Sequence, residues 1–224
     1  GFSSVNNGAA VTFTNSSNNA STYSWNFGDG GNSTQSNPTH TYATDGTYTV
    51  VLTATNACGS ATTTHTVIVV TPPTAGFNAS PTTGCAPLTV QYNNTSSANS
   101  TNFTWTFEGG NPGTSTAMNP TVVYTTPGTY AVTLVASNSA GNNSVTQTNY
   151  ITVNTTPVAG FNSATNGLTS SFTNTSTNAT SYSWAFGDGN NSTETNPVHS
   201  YASDGTYTVV LTATNGCGNV TTTQ

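Results

Sequence analysis

One internal repeat limits what this chain can fold into. When the sequence is shifted by 159 residues, Gly1 falls on Gly160 and Trp25 on Trp184, no gap is needed, and roughly two-thirds of the overlapping positions are identical. A looser copy lies between them, with "FTWTFEGGNP" where the outer copies have "YSWNFGDGGN" and "YSWAFGDGNN". Repeats of this kind are structural modules. The sequence therefore predicts three modules in the order A–B–A.

Linkers rich in Pro and Thr, "TPPT" and "NTTP", mark the boundaries between modules. The predicted domains are residues 1–72 (module one, type A), 73–155 (module two, type B) and 156–224 (module three, type A). Module one finishes with "THTVIVV", which module three lacks, so the last strand of module three is expected to be incomplete. Two explanations stay open: a window from a longer A–B–A–B array, or disordered or trimmed ends.

The pattern within each module is that of β-structure. In "GTYTVVLTATN", Tyr48, Val50 and Leu52 share one face while threonines occupy most of the other. No segment has a convincing helical period. The hydrophobic fraction of 33% is low, but regularly spaced aromatic residues make up 10% of the chain and favour folded β-structure over disorder. We expect an all-β chain of tandem sandwiches, each of the size that seven strands form.

The absence of Lys and Arg excludes several functions. The net charge is −6, so the phosphate neutralisation that drives nucleic-acid binding is missing, as is a polybasic patch for a membrane surface. No apolar run approaches the ~20 residues of a membrane span, and no membrane insertion is expected. Most of the acids occur in duplicate, which does not suit a single active site. We expect no enzyme activity.

The stretch "YSWNFGDG…NPTHTYATDGTYTVVLTATNACG" resembles polycystic-kidney-disease (PKD) domains. These carry W-x-F-G-D-G, then P-x-H-x-Y, then G-x-Y-x-V-x-L-x-x-x-N. Module three matches equally well, whereas module two has "WTFEGG" and lacks the His. The resemblance implies three tandem Ig-like β-sandwiches in an elongated array, of the kind found as spacer, adhesive or interaction modules on secreted and cell-surface proteins. The resemblance does not imply catalysis, and it implies an extracellular or cell-surface location.

The aromatic residues of the motif are predicted to fill the cores. Trp25 and Phe27 alternate along one strand and should face the same side, and Tyr48 is placed for a tyrosine corner, in which its hydroxyl bonds upstream backbone. The predicted core residues are Trp25, Phe27, Tyr48, Trp105, Phe107, Tyr130, Trp184, Phe186 and Tyr207.

Two interpretations of the repeated acids, Asp29, Asp45, Asp188 and Asp204, stay open. Short carboxylates commonly bond local amides in turns. In an Ig-like topology these loops also lie at the C-terminal pole of each module, where calcium could stiffen a joint, although calcium needs 6–8 oxygen ligands. His40 and His199 are interpreted as strand residues held by local hydrogen bonds. No other cofactor is expected.

The three cysteines predict a disulfide between modules. In the expected topology Cys85 lies in the first-to-second strand loop, at the C-terminal pole of module two, and Cys217 lies in the last hairpin, at the N-terminal pole of module three. Head-to-tail stacking would let them pair, and Cys58 would pair with the Cys85 equivalent of a neighbouring unit. The alternative is three free thiols.

Asn-x-Ser/Thr sequences are frequent, and most are predicted to lie in loops that tolerate a glycan. The glycosylation candidates are Asn15, Asn19, Asn32, Asn78, Asn93, Asn94, Asn99, Asn102, Asn142, Asn154, Asn174, Asn178, Asn190, Asn191 and Asn219.

Two functions are compatible with the sequence. The first is a structural segment or subunit of an extracellular filament or stalk that self-associates. The second is a polysaccharide- or protein-binding spacer of an adhesin or secreted hydrolase, for which Tyr92, Phe103 and Tyr150 are candidate surface aromatics.

Overall fold

A computed structural model describes residues 1–224, and every regular element in it is a β-strand. The strands form two sheets in each of the three predicted modules, so the expected all-β fold of three Ig-like sandwiches is confirmed. None of the elements is a helix with the length and apolarity needed to cross a bilayer.

Module one packs a three-stranded sheet, β1-β2-β5, against a four-stranded sheet, β4-β3-β6-β7. The last two strands form a long hairpin whose register pairs every residue from Gly46 to Asn56 with one of β7. The alternation in "GTYTVVLTATN" buries Val50 and Leu52 as predicted. The strands are β1 (Phe2–Asn7), β2 (Ala10–Asn15), β3 (Thr22–Asn26), β4 (Asn32–Ser33), β5 (Thr39–Thr41), β6 (Gly46–Asn56) and β7 (Gly59–Val69).

Module two has the same plan with one added strand. Its sheets are β13-β10-β8 and β12-β11-β14-β15-β9, and β9 pairs in parallel with the end of β15. The strands are β8 (Phe77–Ser80), β9 (Thr83–Cys85), β10 (Leu88–Asn94), β11 (Asn102–Phe107), β12 (Thr114–Ser115), β13 (Thr121–Tyr124), β14 (Gly128–Asn138) and β15 (Gly141–Asn154).

Module three repeats module one with a shorter final hairpin. Its sheets are β16-β17-β20 and β19-β18-β21-β22. Residues 205–209, which correspond to the first half of β6, lie outside any strand. The strands are β16 (Phe161–Asn166), β17 (Thr169–Asn174), β18 (Ser181–Ala185), β19 (Asn191–Ser192), β20 (Val198–Ser200), β21 (Val210–Asn215) and β22 (Gly218–Thr223).

Each module has its own core around a buried tryptophan. Trp25, Trp105 and Trp184 are fully buried, and the indole N–H of Trp25 donates to the carbonyl oxygen of Gln35 at 2.9 Å, with equivalent bonds in the other two modules. A buried N–H donor without a partner is costly, so these hydrogen bonds allow a tryptophan to be buried at this position. The predicted core phenylalanines Phe27, Phe107 and Phe186 are buried beside the tryptophans.

The three motif tyrosines pack at the edges of the cores. Tyr48, Tyr130 and Tyr207 are partly buried against their clusters. The hydroxyl of Tyr48 donates to the carbonyl oxygen of Thr44 at 2.8 Å, and the other two make the same contact four residues upstream. This is the geometry of the tyrosine corner.

Four further core tyrosines were not predicted: Tyr42, Tyr92, Tyr124 and Tyr201. In module one the hydroxyl of Tyr42 donates to the carbonyl oxygen of Phe27 at 3.0 Å. In module two the hydroxyls of Tyr92 and Tyr124 bond each other instead, at 2.8 Å. The prediction that Tyr92 is a surface aromatic is therefore wrong, because the alternation of β10 turns it inward. Phe103 and Tyr150 are partly buried against the same core.

Candidate functional site

The Gly-Asp-Gly segment is a tight turn held by its aspartate. Gly28 and Gly30 have φ of 85° and 95°, a region that favours glycine. Asp29 Oδ1 accepts a hydrogen bond from the backbone N–H of Gly31 at 2.9 Å. In module three the same turn has Asp188 Oδ1 accepting from the N–H of Asn190 at 3.0 Å.

The second oxygen of each turn aspartate bonds a histidine. His40 Nε2 lies 2.7 Å from Asp29 Oδ2, and His199 Nε2 lies 2.8 Å from Asp188 Oδ2. The His40 ring also stacks on Phe27, with centroids 4.1 Å apart. The two histidines thus tie the turn to a neighbouring strand, which agrees with their interpretation as locally bonded strand residues.

These hydrogen bonds lower the pKa values of the two turn aspartates. Desolvation raises the pKa of Asp29, but the hydrogen bonds from His40 and Gly31 outweigh it and hold the pKa below its usual value. For Asp188 desolvation also opposes the bonds from Asn190 and His199, and the net result is a pKa lowered to about 2. Both carboxylates are therefore stabilised in their charged form.

The boundary between modules one and two is fastened by the third repeated acid. Asp45 Oδ1 accepts from the backbone N–H and the hydroxyl of Thr71 in the linker, at 3.0 and 2.9 Å. Asp45 Oδ2 accepts from Asn99 Nδ2 of module two at 2.9 Å. The bond from Asn99 is the largest cause that lowers the pKa of Asp45; desolvation opposes it, and the bonds from Thr71 add to it.

Asparagine amides make a second set of contacts at this boundary. Asn138 Nδ2 donates to the carbonyl oxygens of Thr71 at 2.8 Å and of Asn99 at 3.1 Å. At the next boundary Asn215 Nδ2 donates to the carbonyl oxygens of Thr155 at 2.9 Å and of Asn178 at 2.6 Å. Each hairpin asparagine therefore connects a carbonyl of the preceding linker to a loop of its own module.

The boundary between modules two and three is closed by a disulfide. Cys85 and Cys217 are bonded, with Cα atoms 5.5 Å apart and a sequence separation of 132. They line a cleft of about 670 Å³ together with Pro127, Asn154 and Thr180. Pro127 stands where module one has Asp45, so the disulfide occupies the boundary that has no carboxylate.

The structure places Cys217 where it was expected and Cys85 in a different element. Cys217 lies in the β21–β22 hairpin as expected, but Cys85 ends the short strand β9 and is not in a loop. The parallel pairing of Asn154 with Cys85 brings the Cys85 sulfur to the module boundary. Cys58 is free and exposed, and its pairing with a neighbouring unit stays a prediction.

The arrangement of the acids bears on the calcium hypothesis. No group of three or more His, Cys, Asp or Glu side chains that could hold a metal ion occurs in the structure. The atoms directed at Asp45 are N–H and O–H donors, which suit a carboxylate held by hydrogen bonds. Asp204, the counterpart of Asp45, lies exposed beside a groove of module three. The hydrogen-bond donors around Asp45 do not fit a calcium site, and calcium binding stays a prediction without structural support.

The Asn-x-Ser/Thr positions are distributed differently from the prediction. Eleven of the fifteen lie in strands, and only Asn19, Asn99, Asn178 and Asn190 lie in loops, because long runs of Asn and Thr here form strand faces. In some of them the nitrogen to which a glycan would attach is not free. Asn94 Nδ2 and Asn174 Nδ2 are buried, and Asn99 Nδ2 and Asn190 Nδ2 donate to the carboxylates of Asp45 and Asp188. The other positions remain candidates.

The residues that sequence reasoning missed are the asparagines of the joints, Asn99, Asn138 and Asn215. Two of them are the asparagine that closes the G-x-Y-x-V-x-L-x-x-x-N pattern. The asparagine that recurs at the end of an alternating strand could have indicated this role. Its partner, the carbonyl oxygen of Thr71 or Thr155, lies before the start of the asparagine's own module. The candidate functional site of the chain is thus a pair of joints between modules, one built on Asp45 and one on the disulfide.

Comparisons with known proteins agree with this architecture. The family model of the PKD domain matches residues 2–71, 70–153 and 154–224, so that nearly the whole chain is covered. The I67–I69 fragment of titin superposes with a TM-score of 0.54 over 96% of this chain and 90% of that fragment, at 13% identity. That likeness shows the fold alone.

Two curated relatives are bacterial enzymes in which the matching part is small. A microbial collagenase of Vibrio alginolyticus is 52% identical over 46 residues, which is 20% of this chain and 6% of the collagenase. The pre-pro-metalloprotease PrtV of Vibrio cholerae is 43% identical over 77 residues, 33% of this chain and 8% of the protease. The chain thus spans less than a tenth of the length of either relative.

Proposed function

The chain belongs to the PKD domain family, and from this premise we propose that it is a non-catalytic structural segment or subunit of a cell-surface or extracellular filament or stalk. The chain consists of tandem PKD modules. The proposed structural role rests on how these modules are joined. A spacer that only connects functional parts needs flexible linkers, whereas a stalk needs joints that keep neighbouring modules in a fixed relation.

The observation that carries the proposal is the direct fastening of both joints. The first has the carboxylate of Asp45 bonded to Thr71 and Asn99, and the second has the Cys85–Cys217 disulfide. Interfaces between domains of one chain permit relative motion by default unless they are large and hydrophobic. Here specific polar bonds and a disulfide restrict the relative motion of the modules in place of a large hydrophobic interface, and they support a stiff rod.

An oxidising exterior is part of the same proposal. A disulfide between exposed ends of two modules persists where thiols are not kept reduced. Cys58 occupies the same hairpin position as Cys217, and the backbone N–H of each donates to the asparagine two residues before it, at 2.8 and 2.7 Å. We propose that Cys58 pairs with the Cys85 equivalent of a neighbouring type-B module, which would make the assembly covalent.

The experiment has two parts. Electron microscopy of the native material is expected to show polymers or long parent chains, whereas only dispersed monomers would contradict the proposal. Small-angle scattering of the purified chain is expected to give one narrow distribution of lengths that broadens in the Cys85→Ser/Cys217→Ser variant. Cys58→Ser is the matched control and should leave the distribution unchanged, since this thiol bonds nothing within the chain.

A second candidate is a spacer or binding module of a secreted hydrolase, which the matches to a collagenase and a metalloprotease favour. In that case the chain would contact polysaccharide or protein directly. The most exposed large apolar side chains are aliphatic, such as Val5, Val198 and Met118. Binding of the chain to a glycan array or to insoluble collagen, with no polymer in the native material, would favour this candidate over the filament.

A further inference from the structure

Few of the Asn-x-Ser/Thr sequences have the local structure of an acceptor for N-linked sugar. Such an acceptor is a surface loop in which the asparagine and the hydroxyl two residues later act together. In an extended strand these two residues are about 7 Å apart, because each residue advances about 3.3 Å. The positions outside strands are Asn19, Asn99, Asn178 and Asn190.

Two of these four loop asparagines have an amide nitrogen that is already engaged. Asn99 Nδ2 donates to Asp45 Oδ2 at 2.9 Å and to the carbonyl oxygen of Thr71 at 3.0 Å. Asn190 Nδ2 donates to Asp188 Oδ2 at 3.0 Å. A hydrogen bond to a carboxylate is stronger than one between neutral groups, so a sugar on either nitrogen would have to displace a strong bond.

Asn178 has a free side chain at the place in module three that Asn99 has in module two. Each of the two accepts, at its backbone carbonyl oxygen, a bond from the hairpin asparagine of its own module. The side chain of Asn178 is exposed and makes no hydrogen bond, because Pro127 stands where module one has Asp45. The backbone of Asn178 has a φ of 57°, a left-handed conformation that Asn99 does not share.

The free side chain of Asn178 lines the cleft at the disulfide joint. Asn178 and Thr180 line it from module three, and Cys85, Pro127 and Gly128 line it from module two. Its volume of about 670 Å³ lies in the range of about 300–1,000 Å³ that small-molecule sites have. No charged side chain lines the cleft. The space therefore suits a neutral group with many hydroxyls, which is the chemistry of a sugar.

A second acceptor sequence, which begins at Asn154, lines the same cleft but is extended. Asn154 ends strand β15, and Thr156 precedes Pro157, which keeps the residue before it extended. The Asn154 amide and the Thr156 hydroxyl are therefore held apart. In contrast, the chain bends at Asn178 and again at Thr180, so Asn178 is the acceptor that has a loop conformation.

We propose that Asn178 is an N-glycosylation site whose first sugar lies in the cleft between modules two and three. In the modification, Nδ2 of Asn178 bonds the anomeric carbon of a phosphate-activated sugar, and the bond from that carbon to the donor's phosphate breaks. The proton lost from Nδ2 passes to a base of the sugar transferase. The sugar then fills the joint that has no counterpart of Asp45. The inference goes beyond the proposed function, since a spacer of a secreted hydrolase could carry the same sugar.

Mass spectrometry of the native chain tests the site without any variant. Chymotrypsin is the protease, because trypsin finds no Lys or Arg, and it should release residues 173–182. Electron-transfer fragmentation is expected to locate the sugar on Asn178 and none on Asn174, whose Nδ2 is buried. Occupancy at Asn178 should exceed that at Asn99 by about tenfold, as one hydrogen bond to a carboxylate predicts. An unmodified Asn178, or equal occupancy at Asn99, would overturn the proposal.

Variants produced in a cell that glycosylates asparagine separate the free nitrogen from the acceptor sequence. Pro127→Asp supplies a carboxylate at this joint and should lower the occupancy of Asn178 by about tenfold. Pro127→Ala is the matched control, since it removes the proline without adding a carboxylate, and it should leave the occupancy unchanged. Equal occupancy in the two variants would contradict the role of the free nitrogen.

Nuclear magnetic resonance of the glycosylated chain tests where the sugar lies. The anomeric proton of the first sugar is expected to show a nuclear Overhauser effect to the Hα atoms of Gly128, which lines the cleft opposite Asn178. A sugar that shows such effects only to residues of module three would lie outside the cleft, and its placement between the modules would be wrong.

Discussion

Asn138 in the last hairpin of module two donates its side-chain N–H to the carbonyl oxygen of Thr71 in the preceding linker, at 2.8 Å. Asn215 repeats the contact with Thr155 one module further along, at 2.9 Å. The asparagine that ends the longest sequence motif thus bonds the preceding linker as well as a loop of its own module. Beside this shared contact the two joints differ, since Asp45 strengthens one and a disulfide the other.

Asp45→Ala is expected to loosen the first joint. The substitution removes a carboxylate that accepts bonds from Thr71 and Asn99. Because the group is exposed, we expect a loss of only about 1 kcal/mol in stability, together with a broader distribution of lengths in small-angle scattering. Asp204→Ala is the matched control, since Asp204 is the repeat counterpart of Asp45 and its exposed carboxylate makes no bond of the kind that Asn99 makes to Asp45. Equal effects of the two variants on the scattering would show that Asp45 does not fasten the joint.

The hydrogen-bonded hydroxyls of Tyr92 and Tyr124 in the core of module two predict that the two tyrosines differ in the stability lost on replacement by phenylalanine. Tyr124→Phe leaves the buried Tyr92 hydroxyl without a partner, which should cost about 1–3 kcal/mol. Tyr92→Phe should cost less, because it recreates module one, where Phe13 stands at this position and the hydroxyl of Tyr42 bonds a backbone carbonyl. Amide exchange of β10 and β14 would measure both. A larger cost for Tyr92→Phe would contradict the proposed roles.

Acid is expected to destabilise the outer modules through their turn aspartates. Asp29 and Asp188 have lowered pKa values in the folded chain, about 2 for Asp188. The unfolded chain therefore binds protons first as the pH falls, so the stabilisation is fully present above the ordinary carboxyl pKa of about 4 and is lost as the pH falls towards 2. Melting curves between pH 5 and pH 2 should show this loss.

The control for the acid effect is the Asp29→Asn/Asp188→Asn variant. Its melting temperature should be lower at pH 5 and should change less between pH 5 and pH 2 than that of the unmodified chain. An unchanged dependence in the double variant would assign the acid sensitivity to other carboxylates.

The fold could be predicted from the sequence because its determinants are local and repeated. Alternation in β6 and the motif around Trp25 and Phe27 each specify a strand and its buried face. The added strand β9 could not be predicted, because its parallel pairing with β15 depends on residues about seventy positions apart. Tyr92 was assigned to the surface for a related reason: a tyrosine is buried only where a partner for its hydroxyl exists, and that partner is Tyr124.

The candidate site could be predicted from the sequence only in part. The disulfide required only that Ig-like modules stack head to tail, so the pairing of Cys85 with Cys217 could be expected from topology. The choice between turn residue and calcium ligand could not be made, since it depends on which donors surround each carboxylate. Asp29 meets a histidine, and Asp45 meets the amide of Asn99 from another module.

The two glycines that flank Asp29 are expected to differ in their tolerance of a side chain. Both have positive φ, so alanine is strained at either. A Cβ on Gly28 would also lie 2.6 Å from the carbonyl oxygen of Thr49, whereas a Cβ on Gly30 would meet nothing within 4 Å. Gly28→Ala should therefore cost about 3 kcal/mol and Gly30→Ala about 1 kcal/mol, measured by thermal unfolding. Module three provides a replicate, because Gly187 has the same 2.6 Å approach to Thr208 and Gly189 is equally open. Equal costs at the two positions would mean that the turn shifts away from the neighbouring strand and that the close backbone approach does not constrain it.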